Sequence, residues 1–142
     1  MRQFFNSIEN YFNETLQTLP CENATKAYIV SIYTKYRSAE HDLSKDSLTL
    51  LFAQAKEKQD FMSFQNIGDW IFFANTIAPD HLVNASSDYY HTLARISYYS
   101  CYRIIHKQWK LFEELSDNFI LLESEAKRLL HHNNIFGITL KT

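Results

Sequence analysis

The chain has 142 residues, 46% hydrophobic, 15% aromatic and 21% charged. At this length roughly 70% of the unfolded chain's surface can be buried, so the composition fits one globular domain and excludes a disordered chain or a scaffold stapled by disulfides or metal. Two Gly and two Pro supply almost no turn chemistry for an all-β sandwich or barrel, and a net charge of -2 advertises no global field for nucleic acid or an anionic membrane.

The expected fold is therefore all-α, a single-domain bundle of about six helices over residues 1–142. Phe4, Phe5, Ile8, Tyr11, Phe12, Leu16 and Leu19 recur at three and four residues, so they share one side of a helix that Pro20 stops. Its polar face has almost no Lys or Arg, which favours core packing over lying on anionic lipid. Asn23 can cap a second helix with Ile29, Ile32, Tyr33 and Tyr36 on its apolar face. Ser44, Asp46 or Ser47 can cap a third, built on Leu48, Leu50, Leu51, Phe52 and Ala55, and the two are expected to form a helical hairpin.

From Phe61 to Ala78 the apolar residues wrap most of a helical circumference, the mark of a helix covered on several sides. Gly68 costs about 1 kcal/mol inside such a helix. Either another backbone approaches closely there, or the helix breaks with Gly68 as its end and Asp69 as the next cap. Pro79 closes the segment. Asp88 can cap a helix through Tyr90, Leu93, Ala94, Ser97, Tyr98 and Cys101, whose small residues would admit a close neighbour. One helix from Asp88 to Asn134 would be about 70 Å long, so a break is expected at His106 to Lys110. A last helix then holds Phe112, Leu115, Phe119, Leu122, Ala126 and Leu129. The apolar tail, residues 135–142, is expected to dock on its own domain or on another chain.

The start of the chain lacks a basic head and an unbroken apolar run, and no stretch approaches the roughly 20 apolar residues a membrane crossing needs. With Cys21 and Cys101 far apart and outside any metal or redox spacing, the expectation is a cytoplasmic protein with two reduced thiols, no membrane partner and no cofactor.

Catalytic motifs are equally sparse. None of the six histidines has the Glu-x-x-His or His-Glu-x-x-His spacing of metal enzymes. The nearest metal-like grouping, Asp80, His81, Asp88 and His91, is more simply a polar loop and a helix cap, and no metal is expected. No nucleophile elbow or phosphate-cradling Gly loop occurs. Arg95, Arg103, Lys107 and Lys110 form a basic stretch followed by Glu113, Glu114, Asp117, Glu123 and Glu125. Arg95, Tyr99, Arg103, His106 and Lys110 fall near one helical face that could grip an anion, but charges meeting across a helix seam are the simpler expectation, and nucleic acid is not the expected partner. The rings of Tyr89, Tyr90, Tyr98, Tyr99 and Tyr102 would either line a ligand cavity or, more commonly, pack at seams with their hydroxyls at the water edge.

Tyr28-Ile29-Val30, Leu50-Leu51 with Ala55, Ile67-Gly68-Asp69-Trp70, Pro79-Asp80, Tyr89-Tyr90, Leu93-Ala94, Ser97-Tyr98 and Leu111-Phe112-Glu113-Glu114-Leu115 follow one another along most of the chain. In this order they resemble a group of uncharacterised bacterial helical proteins with a Leu-Gly-Asp, Phe-Pro-Glu, Tyr-Tyr and Leu-Phe-x-Glu-Leu pattern. That resemblance implies a helical fold and no known reaction. It draws attention to Gly68, Asp69, Pro79, Tyr89 and Tyr90 as a possible shared site. A carboxylate set among Trp70, Phe72 and Phe73 would have a raised pKa if buried.

Two functions follow. The first is a non-enzymatic binding or assembly module, expected as a homodimer through the aromatic surface or the tail. The second is a small-ligand or enzymatic pocket on which Asp69, Tyr89, Tyr90 and His91 converge.

Overall fold

A computed structural model describes residues 2–36, 45–82, 85–107 and 109–133, with the side chains of 2–7, 45, 46, 80, 81 and 133 outside the description. The described residues form helices α1 (Arg2–Thr15), α2 (Asn23–Tyr36), α3 (Lys45–Lys58), α4 (Phe61–Ile77), α5 (Ser87–Ile104), α6 (Lys110–Asp117) and α7 (Phe119–Asn133), with a 3-10 turn at Pro79–Leu82 and no strand. The expected all-α domain is what forms. The tail 135–142 and Ser44 lie outside the described residues.

Helix α4 is the axis of the molecule. It packs against α2, α3, α5 and α7, which is why its apolar residues surround it instead of forming a stripe. Phe64, Ile67, Ile71, Phe72 and Ala74 are all buried, and fully burying side chains of the larger kinds contributes about 1.5–3 kcal/mol each. Among the described residues α2 and α3 do not pair as the expected hairpin. Instead α3 packs chiefly on α4, while α2 lies against α1, α4 and α6.

The start signals are corrected at α5 and α2, and α4 gains a cap for which no residue was named. Asp60 caps α4, its carboxylate accepting from the Met62 N–H at 3.1 Å. Ser86 caps α5 through the Tyr89 N–H at 3.1 Å, so Asp88 stands in the first turn, where its charge still opposes the positive end of the helix dipole. Asn23 is the first residue of α2, and the Glu22 N–H donates to the Glu114 carboxylate of α6 at 3.3 Å, with the Thr25 hydroxyl donating to the same group. A cap can thus come from residues distant in sequence, beyond the reach of local patterns.

The break expected after α5 is present, closed by a bond from the Lys107 N–H to the Tyr102 carbonyl at 2.9 Å. His106 and Lys107 both adopt positive φ, 57° and 65°, where the commoner residue is Gly. The helix expected to run unbroken from Phe112 to Leu129 is instead divided at Asn118, whose N–H bonds to the Glu114 carbonyl and whose carbonyl accepts from Leu122. This raises the helix number to seven among the described residues. The bend lets Phe112 and Leu115 face α5 and α2 while Phe119, Leu122 and Ala126 sink into the core beside α4, all five being fully buried.

Candidate functional site

Gly68 does not break α4. A Cβ at this position would lie 2.7 Å from Cε1 and Cζ of the Tyr98 ring, closer than two unbonded carbons can approach. A ring, and not a second backbone, is what approaches. The glycine lets α5 press its Tyr98 flat onto α4, and the contact carries the ring's hydroxyl to the next residue of α4, Asp69.

Asp69 is therefore an interior acceptor and not a helix cap. Its side chain is buried, and its Oδ1 accepts hydrogen bonds from the hydroxyls of Tyr98 and Tyr28, each at 2.7 Å. Its Oδ2 lies 3.7 Å from Nζ of Lys35, an ammonium that also donates to Asn66 at 2.7 Å. One carboxylate thus joins α2, α4 and α5. Burial outweighs the two tyrosine hydrogen bonds and the Lys35 charge, which act to lower it, and leaves its pKa raised from the ordinary 3.8 to about 6. The same burial, with the Asp69 charge alongside, drives the Tyr28 and Tyr98 hydroxyls far above the usual phenol range. Both remain hydrogen-bond donors and neither can serve as a base near neutrality.

The residues singled out with Asp69 do not gather around it. Tyr90 and Tyr98 are eight residues apart on α5, about 12 Å along the helix axis. Tyr89 hydrogen-bonds with the Thr49 hydroxyl of α3. Tyr90 is buried against the Tyr89 ring, its hydroxyl without a hydrogen-bonding partner among the described residues. The His91 Nε2 meets Glu123 Oε1 of α7 at 2.9 Å, and the other oxygen of Glu123 accepts from Asn75 of α4 at 2.6 Å. Two separate polar ties result, one at Asp69 and one at Glu123, each joining α4 and α5 to a third helix. Pro79 begins the 3-10 turn that follows α4. In the grouping Asp80, His81, Asp88 and His91, the first two side chains lie outside the description, and no group of three or more potential metal ligands assembles among the described residues.

The tyrosines divide on the water-edge expectation: Tyr90, Tyr98 and Tyr102 are buried and Tyr89 half-buried, while Tyr99 stays exposed. Tyr33 and Tyr98 are fully buried, and the Tyr33 hydroxyl shares a 2.7 Å hydrogen bond with Thr76. Sequence reading missed Tyr28, Lys35, Glu123 and Asn75 as partners. The available signal was Asp69 itself, an acid in the middle of an apolar helix, which must find donors on whatever packs there.

Among the described residues no ion pair joins the charges of α5 to those of α6, unlike the expected meeting across the seam. Glu113, Glu114 and Asp117 line a hollow of about 580 Å³ at the start of α2, shared with Lys110 and Trp109. Arg95 and Arg103 face other hollows, and Arg95 donates to the Ser116 backbone carbonyl at 2.9 Å, not to an acid. His106 and Lys107 leave the face altogether in the turn after α5. No described helix is long and apolar enough to cross a membrane. Comparisons with protein-family models, with curated proteins and with solved structures return no match for the chain.

Proposed function

We propose that the chain acts by binding and not by catalysis, as a helical binding and assembly module. The observation that supports this reading is a contrast between interior and surface. The Asp69 carboxylate is enclosed by donors from its own fold, whereas Arg95, Ile96, Tyr99 and Arg103 stand exposed in one stripe of α5. A general acid or base must reach a substrate proton within hydrogen-bond distance, and Asp69 presents its oxygens to two tyrosines and a lysine instead. The alternative pocket around Asp69, Tyr89, Tyr90 and His91 is not favoured, because their bonds point to different helices. A cytoplasmic setting belongs to the same reading, supported by Cys21 and Cys101 remaining free thiols.

Sedimentation of the full chain over a range of concentrations tests the assembly part, with a dimer as the expected species. Asp69→Asn is expected to sediment as the parent does. A chain that remains monomeric throughout and binds no ligand would overturn the reading.

A further inference from the structure

Two hollows lie side by side on the outer face of α5, of about 270 and 440 Å³, and both are lined by Ile96 and Tyr99. Arg95 borders the first, and Lys56 of α3 and Arg103 border the second. No carboxylate among the described residues lines either one. Among the described residues Arg95, Arg103 and Lys56 form no ion pair, because the acids of α6 turn toward the opposite hollow. Ile96 and Tyr99 remain 45% and 44% exposed between these cations. Positions 95, 96, 99, 100 and 103 form a stripe about 12 Å long on one side of the helix.

Resting on the binding-module reading, we infer that this α5 groove holds a small organic phosphate or carboxylate, its charged head between Lys56 and Arg103 and its flat apolar body against Tyr99 and Ile96. The charge supports an anion, since an acid-free group of cations leaves its field unopposed at short range. The size supports a small molecule, because the larger hollow lies within the roughly 300–1,000 Å³ of ordinary ligand sites. A nucleic-acid strand fits less well. Salt-sensitive polyanion binding commonly uses about 6–10 phosphate contacts, and the net charge of -2 repels a polyanion at long range. Arginine's planar fork suits either oxyanion head, with Lys56 adding a point charge.

The test is a titration of the full chain with 1-naphthyl phosphate, 1-naphthoate and neutral 1-naphthol, followed by amide chemical shifts and calorimetry. Saturable binding of at least one anion is expected, with shifts at Lys56, Tyr99 and Arg103 and naphthol weaker by about tenfold or more. The stronger anion identifies the head group. Lys56→Ala and Arg103→Ala are surface changes expected to keep the helical circular-dichroism spectrum and to weaken the anion by about tenfold each. Naphthol binding as tightly as both anions, or an Arg103→Ala variant with full affinity, would overturn the site. A short oligothymidylate that binds the same residues more tightly would also overturn it, in favour of a polyanion. If neither anion binds while the chain sediments as a dimer, the anion site is lost and the assembly reading survives; a monomer that binds neither removes both.

Discussion

At the scale of single residues, Gly68 and Asp69 act as a pair. Alanine at 68 would improve helix propensity by about 1 kcal/mol, yet its Cβ would meet a ring held by a buried hydrogen bond. Overpacking of this kind costs typically 1–3 kcal/mol, so Gly68→Ala is expected to lower the urea midpoint. In a Tyr98→Leu background the same substitution should lose most of its penalty, and equal costs in both backgrounds would refute the contact. For Asp69 the raised pKa sets the sign of a pH effect. Between the ordinary 3.8 and about 6 the folded state holds the proton more tightly than the unfolded chain, so stability falls as pH rises through that window. Above it the loss is complete and on the order of 3 kcal/mol. Asp69→Asn should abolish this slope in denaturation curves taken from pH 4 to 7 and be at least as stable as the parent at neutrality, because its amide oxygen still accepts from both tyrosines. Asp69→Ala should instead lose about 2–4 kcal/mol, since it leaves two interior hydroxyls without an acceptor.

Among the helices, the ends hold the least obvious stabilising contacts. Glu114 serves the start of α2 from α6, so Glu114→Ala is expected to cost about 1–2 kcal/mol although the position is not a cap in any local pattern. Thermal unfolding measures this, and a melting temperature unchanged by the substitution would show that the cap contributes nothing. At the other end of α5 the positive φ of Lys107 makes Lys107→Gly a stabilising change, by about 0.5–1 kcal/mol. The positive φ of His106 and Lys107 is why α5 and α6 are separate helices: the turn between them closes its own hydrogen bonds. The division at Asn118 has a different origin. Leu115 and Phe119 on either side of it are both fully buried, and the backbone at Asn118, with φ -111° and ψ 21°, departs from helical values.

For the whole molecule, α4 is the element that α2, α3, α5 and α7 cover, and Asp69, Asn75 and Thr76 are its polar ties to α2, α5 and α7. Its amides should exchange with solvent only by global unfolding, whereas those of α3 and α6, at the periphery, should open earlier. Hydrogen exchange followed residue by residue measures the difference, and α4 amides exchanging as fast as those of α3 would contradict a central position. Four acids line the α6 hollow together with Lys110, whereas Lys56 and Arg103 line the α5 groove with no carboxylate among the described residues.

How much of this was legible depends on the distance over which each signal acts. Periodicity and scarce turn residues determined the all-α class, the all-round burial of the Phe61–Ala78 helix and the break after α5, because each follows from the spacing of neighbours along one helix. The exceptional character of Asp69 was legible too, as a lone acid in an apolar run. Its donors were not. Which tyrosines reach it, what presses on Gly68, why Glu114 caps α2 and where the charges of α5 point are all settled by the order in which helices pack around α4. Hydrophobic burial selects that order without regard to sequence distance, and the polar groups then bond to whichever partners the packing has brought near.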